Sequence, residues 1–195
     1  MANRDNHYEA AFEEFLRSHG VPYVAVDEAR RSLLSDGRSI KSLDFIVAAP
    51  GGATWLVDVK GRRFPSGDST CQYWKNWSPQ EDIESLGQWE ELFGENFRGL
   101  FVFGYHVLGD RSPLPLDQCF EFRQRLYAFV AVRLEDYAVW SRPISNRWDT
   151  VAMPTAVFRR LAQPVEELLR TAPTPSPRNA GPARRESPAP PRPPD

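Results

Sequence analysis

The hydrophobic pattern of this chain is most regular in two apolar, β-branched segments, 43–49 and 54–60, which are joined by a short Pro50-Gly51-Gly52 turn. This pattern predicts a β-hairpin. On a strand, residues two apart point to the same face, so Asp58 and Lys60 project together, opposite Trp55, Val57 and Val59. Because buried strands normally exclude charge, the hairpin is the first candidate for a functional site.

Apolar residues at helical spacing flank this hairpin. Residues 6–16 carry one apolar stripe with the i, i+3, i+4 period, and Asp5 or Asn6 can serve as the N-cap of this helix. The pattern predicts further helical segments at 83–93, 134–138 (a turn or a helix) and 154–169.

Three more segments have the apolar, β-branched composition of strands: 23–26, 99–105 and 125–132. Gly, Pro and Ser interrupt residues 62–82, which predicts a long loop. The resulting order is helix, three strands, helix, strand and strand. It predicts an α/β fold with a central mixed β-sheet flanked by helices.

The composition changes sharply near residue 170. Nine of the 18 prolines lie between Pro173 and Pro194, and residues 171–195 contain no aromatic residue and no Val, Ile or Leu. Such a segment cannot bury enough apolar area to offset the entropy of ordering it. We therefore expect one domain over 1–170 and a disordered Pro-rich tail over 171–195, which could serve as a ligand for a protein partner.

The charge is nearly balanced overall, at −2, but it is uneven along the chain. Between Arg30 and Lys75 there are eight basic residues and, once Asp44 and Asp58 are set aside, two acidic residues. This excess is typical of a surface that meets phosphates. The N-terminus is polar, no segment approaches transmembrane length, and the two cysteines form no Cys-x-x-Cys pair, so we expect a cytoplasmic protein without a membrane partner.

The order of these elements, with Asp44 on one strand and Asp58-x-Lys60 on the next, resembles the PD-(D/E)XK nuclease superfamily and its αβββαβ restriction-endonuclease-like core. The chain has Leu43 where the superfamily label has Pro, and Asp58 is an allowed alternative to Glu. The opening, from His7 to Glu13, is similar to the signature of HYExAFE, a bacterial family without an established activity.

The resemblance implies a metal-dependent nuclease that acts on DNA, and the residue types agree with it. Mg²⁺, or Mn²⁺ as an alternative, prefers oxygen ligands and is typically held by one or two carboxylates plus substrate phosphate. Asp44 and Asp58 would be those carboxylates, with the carbonyl of Val59 as a third oxygen. Lys60 would orient or deprotonate the attacking water, or stabilise charge in the transition state.

This site depends on the register of the hairpin. Asp44 and Asp58 share a face only if the loop has an odd number of residues, such as Pro50-Gly51-Gly52, or if a bulge intervenes. A two-residue loop would pair position 44 with Val59 and place the two aspartates on opposite faces.

Further residues complete the predicted site. Glu9 on the first helix is a candidate catalytic carboxylate, with Glu13 as the second choice. Trp74 and Trp77 either stack on bases or anchor the long loop to the core, and we favour anchoring. The predicted nucleic-acid-binding residues are Lys41, Arg62, Arg63 and Gln88, the last on the resemblance to the superfamily.

Two classes of function remain. The first is an Mg²⁺-dependent nuclease that hydrolyses DNA phosphodiester bonds. The second is a non-catalytic protein of the same fold that binds nucleic acid or a protein partner. Asp-x-Lys alone is common at strand ends, but Asp44, the basic flanks and the acidic first helix appear around it in the expected order, which favours the nuclease.

Overall fold

The computed structural model describes residues 6–27, 32–33, 39–49, 54–67, 71–145 and 147–170. The predicted tail over 171–195, the Pro50-Gly51-Gly52 turn and the alternative N-cap Asp5 lie outside the described residues. Within the described ranges, none of the helices is both long enough and apolar enough to cross a membrane.

The described chain alternates short and long elements. The helices are α1 His7–Ser18, α2 Gln80–Phe93, α3 Leu134–Trp140, α4 Thr155–Leu161 and α5 Val165–Arg170, with a 3₁₀ turn at Leu116–Gln118. The strands are β1 Tyr23–Ala25, β2 Ser32–Leu33, β3 Ser39–Ile40, β4 Phe45–Ala48, β5 Thr54–Phe64, β6 Ser78–Pro79, β7 Phe97–Val107, β8 Phe120–Phe122, β9 Arg125–Arg133, β10 Arg142–Ser145, β11 Thr150–Ala152 and β12 Gln163–Pro164.

A mixed sheet forms the centre of the molecule. Its strand order is β1-β4-β5-β7-β9-β12, with β8 paired to β9. β5 and β7 run parallel, while the other pairs in this sheet are antiparallel. The predicted α/β fold, a central mixed sheet flanked by helices, is confirmed, and α1, β1, β4, β5, α2 and β7 follow one another in the predicted order.

Helices cover both faces of the sheet. On the first face, α1 and α5 pack against alternate residues of the central strands, among them Trp55, Val57 and Phe129. On the second face, α2, α3 and α4 pack against the intervening residues, among them Leu56 and Phe101. This alternation places Asp58, Lys60 and Arg62 of β5 on the second face.

Helix α1 begins where the sequence predicted and lies very close to β5. The side chain of Asn6 caps it by accepting a hydrogen bond from the backbone N–H of Tyr8 at 3.1 Å. A Cβ atom on Gly61 would lie 2.1 Å from the ring of Tyr8. The absence of a side chain at Gly61 therefore lets α1 approach the strand that carries Asp58 and Lys60.

Two predicted segments are wrong in their extent. Residues 154–169 do not form one helix, because Gln163–Pro164 pairs with β9 as an edge strand between α4 and α5. Pro164 has no backbone N–H to donate to a helix and is tolerated at a sheet edge. The predicted loop over 62–82 is shorter at both ends, since β5 continues to Phe64 and α2 begins at Gln80.

Candidate functional site

The hairpin has the register that the predicted site requires. β4 and β5 pair from Phe45↔Val57 to Ala48↔Thr54. This register excludes the alternative in which position 44 pairs with Val59. The next residues beyond the Phe45↔Val57 pair are Asp44 on one strand and Asp58 on the other.

Asp44 holds the end of β4 against β5. Its backbone N–H donates to the carbonyl of Val57 at 2.9 Å, and its Oδ2 atom accepts from the backbone N–H of Val59 at 2.5 Å. The carboxylate thus takes the place of a ladder partner where β4 has ended. Because the N–H and C=O of one strand residue point to the same side, Asp44 lies on the side of β5 toward which the Val59 carbonyl points.

Lys60 joins two buried carboxylates on the second face of the sheet. Its Nζ atom lies 2.5 Å from Asp58 Oδ1 and 2.5 Å from Asp82 Oδ2. Lys60 is 8% exposed, Asp58 5% and Asp82 2%. Lysines and aspartates are almost never this buried unless they are paired, so the three side chains form one ionic unit.

Asp82 is the site residue that sequence reasoning missed. It lies in the first turn of α2, where its Oδ1 atom is 2.5 Å from Lys41 Nζ and its Oδ2 atom accepts from Ser78 Oγ at 3.2 Å. The signal was its spacing from Ser85, Leu86 and Trp89, which places it on the buried side of the helix. Because the predicted helix began at residue 83, Asp82 fell in the predicted loop and its helical spacing from these residues was not considered.

Burial and charge act in opposite directions on this unit. Burial alone would lower the pKa of Lys60, but the negative charges of Asp58 and Asp82 outweigh it and raise that pKa above its ordinary value. Lys60 is therefore a permanent cation at neutral pH. Burial raises the pKa of Asp58, whereas the charge of Lys60 and hydrogen bonds from Lys41 and Lys60 overcome burial at Asp82 and lower its pKa.

The oxygen atoms around Val59 fit a hard divalent cation. Asp58 Oδ1 is buried and lies 2.5 Å from Lys60 Nζ, and because a carboxylate oxygen has two lone pairs, it can accept one further ligand. Carboxylate and carbonyl oxygens are the ligands that Mg²⁺ prefers. In the described ranges, however, no three His, Cys, Asp or Glu side chains are grouped to hold a metal ion. A cation would therefore take its remaining ligands from water or substrate.

The second-face side of the cluster is closed. The space that Lys41, Leu43, Asp58, Asp82 and Trp89 enclose has no volume accessible to a water molecule. Asp44 and Asp58 are likewise buried, with 7% and 5% of their surface exposed.

The two candidate glutamates lie on a different helix from Asp82. Glu9 is buried on α1, which packs against the first face, and its carboxylate accepts a hydrogen bond from the Asn6 side chain. Glu13 accepts from Tyr23 Oη at 2.9 Å and pairs with Arg17 at 3.2 Å. Asp82, on the second face, is the helical carboxylate that the structure brings to Asp58 and Lys60.

The predicted nucleic-acid-binding residues separate into two groups. Lys41 is bound to Asp82, and its carbonyl accepts from the indole N–H of Trp89 at 2.8 Å. Gln88 is half-buried on α2, six residues beyond Asp82 and so about 120° around the helix from it. Neither residue stands free on the surface beside the site.

The two arginines lie on opposite faces of β5. The Arg62 guanidinium stacks on Trp77 at 3.9 Å from the ring centroid and donates to the carbonyl of Gly61 at 2.7 Å. Arg63 is exposed on the first face. Trp74 packs against Phe64 and the second-face core, which confirms that it anchors the loop.

The similarity of this chain to known proteins is limited to solved structures. No protein-family model and no curated protein matches the chain, and membership of the HYExAFE family stays a prediction. Among solved structures, Hjc, a Holliday junction resolvase from the archaeal hyperthermophile Archaeoglobus fulgidus, is similar with a TM-score of 0.47 and 12% identity. The similarity covers 84% of this chain and 98% of that chain. The fold class itself rests on the strand order described above.

Proposed function

We propose that this protein is an Mg²⁺-dependent nuclease that hydrolyses DNA phosphodiester bonds at the hairpin of β4 and β5. The observation that carries the proposal is the buried Asp58–Lys60–Asp82 unit next to the carboxylate of Asp44. Desolvating each ion costs several kcal/mol in a folded protein, and apolar residues of similar volume often serve stability as well or better. The presence of three buried charges at this point of the sheet therefore favours a catalytic role over a purely structural one.

Asp44, Asp58 and the carbonyl of Val59 would hold the metal. When bound, Mg²⁺ lowers the pKa of a coordinated water and neutralises charge on the scissile phosphate. The hydrogen bond from Val59 N–H to Asp44 fixes one carboxylate against the backbone of the strand that carries the other.

Lys60 stabilises negative charge rather than removing a proton. The two carboxylates beside it raise its pKa, so it has no basic form at neutral pH. A permanent ammonium in a buried setting can donate to a phosphate oxygen or orient the attacking water. Of the roles that the sequence left open for Lys60, this environment disfavours deprotonation of the water and supports orientation of the water and stabilisation of charge.

Asp82 is a positioning residue for Lys60. It binds Lys60 through Oδ2, while Lys41 and Ser78 hold its own carboxylate in place. Three donors on one aspartate fix the direction from which Lys60 reaches Asp58. We therefore expect Asp82 to act through the placement and charge of Lys60 rather than by contact with substrate.

A second function is favoured by one specific observation. The cluster of Lys41, Asp58, Lys60 and Asp82 contains two positive and two negative charges, and it encloses no space for water. A balanced, closed cluster of this kind suits a protein of the same fold that binds nucleic acid or a protein partner without cleaving it.

A metal titration separates the two functions. Single- and double-stranded DNA are incubated with the full chain at increasing Mg²⁺ or Mn²⁺, and cleavage is compared with that of Asp58→Asn, Lys60→Gln and the exposed control Asp110→Asn. We expect no detectable cleavage by Asp58→Asn and a loss of roughly 100-fold or more for Lys60→Gln. The control should match the wild type. DNA binding without cleavage by any of these proteins would support the second function instead.

A further inference from the structure

A cluster of basic side chains lies on the first face of the sheet, near the ends of β5 and β7. Arg63 of β5 is in register with His106 of β7, and His106 is in register with Tyr127 of β9. Arg125 lies two residues before Tyr127 on the same strand and so on the same face. The N-terminal residue of α1, His7, completes the group.

Tyr127 orients both histidine rings. Its hydroxyl lies 2.8 Å from His7 Nδ1, and its ring stacks on His106 with 5.5 Å between centroids. The two histidine rings meet edge to face at 5.8 Å. Because Tyr127 is fully buried, the rings rest on a fixed support. With Nδ1 occupied, Nε2 is the atom of His7 that remains for a ligand.

Within the described part of the chain, the charged groups that shift the pKa values of the two histidines are all positive. Burial lowers the pKa of His106, and the neighbouring His7, Arg125 and Arg63 lower it further. The pKa of His7 is lowered by burial and by Arg125 in the same way. Convergence of like charges is unfavourable unless an anion binds among them, and the N-terminus of α1 adds a partial positive charge.

Among the described residues, the carboxylate nearest to His7 in sequence is Glu9, two residues beyond it, while Asp5 lies outside the described residues. Glu9 accepts a hydrogen bond from Asn6, which caps the same helix. On β8, Glu121 is in register with Leu126, whose side chain points away from the face of Arg125. The groups that converge on His106 are therefore a set of hydrogen-bond donors.

We propose that His7, Arg63, His106 and Arg125 form a phosphate-binding site that holds the DNA strand next to the point of cleavage. The proposal rests on the nuclease function proposed above. Arginine presents a planar fork of N–H donors that matches phosphate oxygens, and a neutral histidine contributes one further N–H. Four such groups around an oriented tyrosine suit a single phosphate.

The position of this site along β5 links it to the candidate catalytic cluster. Arg63 lies three residues beyond Lys60, about 10 Å along the strand. The two sites lie on opposite faces of β5, so a DNA strand that meets both would pass the edge of β5 beyond the Phe45↔Val57 pair, where β4 no longer pairs with it.

Histidine resonances give a direct test in the wild-type protein. The chain contains three histidines, and His19 lies at the other end of α1 with its ring near the carbonyl of Phe15. The ¹⁵N and ¹H ring signals are followed in EDTA while inorganic phosphate is added, and then with short oligonucleotides. We expect His7 and His106 to shift together while His19 stays fixed. No shift of His7 and His106, or equal shifts of all three, overturns the proposal.

Two oligonucleotide series distinguish the source of the phosphate. One carries a 5′-phosphate and the other a 5′-hydroxyl, with the same internal phosphodiesters. Equal shifts would assign the site to the internal backbone, and a shift with the phosphorylated series alone would assign it to a strand end. Either result supports phosphate binding.

Variants then measure the contribution of the site to DNA binding. Arg63→Gln and Arg125→Gln are compared with Arg142→Gln, an exposed arginine on β10. In EDTA, we expect each of the first two to reduce the slope of log affinity against log salt by about 1 and the control to leave it unchanged. Unchanged slopes for Arg63→Gln and Arg125→Gln contradict the proposal. Asp58→Asn should keep the full response, so a failure of this site can be distinguished from a failure of the nuclease function.

Discussion

Lys60 Nζ of β5 and Asp82 Oδ2 of α2 lie 2.5 Å apart in the interior of the second face. This contact links the strand that carries the predicted Asp-x-Lys motif to a helix whose first turn the sequence left in a loop. It also affects the chemistry available to Lys60, because the negative charges of Asp58 and Asp82 together raise the pKa of Lys60 and keep it protonated. Helix α2 is therefore part of the candidate site as well as a packing element.

Asp82→Asn should destabilise the protein and misplace Lys60. Loss of one partner from a buried ion pair costs about 3–5 kcal/mol, and we expect about 3 kcal/mol here because Asp58 still pairs with Lys60. Urea unfolding measures this effect, with the exposed Asp110→Asn as the matched control.

The role of Asp82 in the placement of Lys60 needs a separate readout. In the cleavage assay, Asp82→Asn should lower kcat more than it raises KM, and Asp82→Glu should recover part of kcat by restoring the charge. If Asp82→Asn has normal kcat despite its lower stability, Asp82 is structural only.

Asp44 should show two separable roles. Asp44→Ala removes the acceptor of the Val59 N–H, which leaves a buried donor unpaired at a cost of about 1–3 kcal/mol. Asp44→Asn keeps a carbonyl acceptor and should cost less. Hydrogen exchange of the Val59 amide should therefore be faster in Asp44→Ala than in Asp44→Asn.

Both Asp44 variants remove a carboxylate, so both should abolish Mg²⁺-dependent cleavage. A fully active Asp44→Asn protein would exclude Asp44 as a metal ligand.

Asp44 could be predicted as a site residue from the sequence, whereas Asp82 could not. Strand alternation predicted that Asp58 and Lys60 share a face. It also showed that the position of Asp44 relative to Asp58 depends on the number of residues in the hairpin loop. Asp82 was harder to find, because its partner Lys60 is 22 residues away and only tertiary packing brings α2 over β5. Similarly, the pairing of Gln163–Pro164 with β9 is a long-range contact that overrides the local helical spacing of 154–169.

The histidine pair should make stability depend on pH. His7 and His106 have folded-state pKa values below their ordinary value of 6.5, so the unfolded chain binds protons more readily. The free energy of unfolding should therefore fall as the pH drops from about 6.5 through the folded pKa of each ring. The groups that face these rings are Tyr8, Tyr127, Arg63 and Arg125.

Denaturant unfolding between pH 7.5 and 5 checks this dependence. His106→Gln should flatten the profile in that window, whereas His19→Gln, at an exposed position at the other end of α1, serves as the comparison. An identical slope in His106→Gln and the wild type would show that His106 does not contribute to the pH dependence.

Gly61→Ala and Gly87→Ala should change stability in opposite directions. A Cβ on Gly61 would lie 2.1 Å from the Tyr8 ring, so α1 or Tyr8 must move, and overpacking of this kind costs typically about 1–3 kcal/mol. Gly87 lies within α2 and its nearest neighbour would be 4.0 Å from the added Cβ, so alanine there should stabilise by up to about 1 kcal/mol through helix propensity. Urea unfolding of both variants measures the difference.

A double variant, Gly61→Ala with Tyr8→Ala, should recover part of the loss, because it removes the ring that the new methyl group meets. If Gly61→Ala is as stable as the wild type, the close approach of α1 to β5 is not a constraint on this strand.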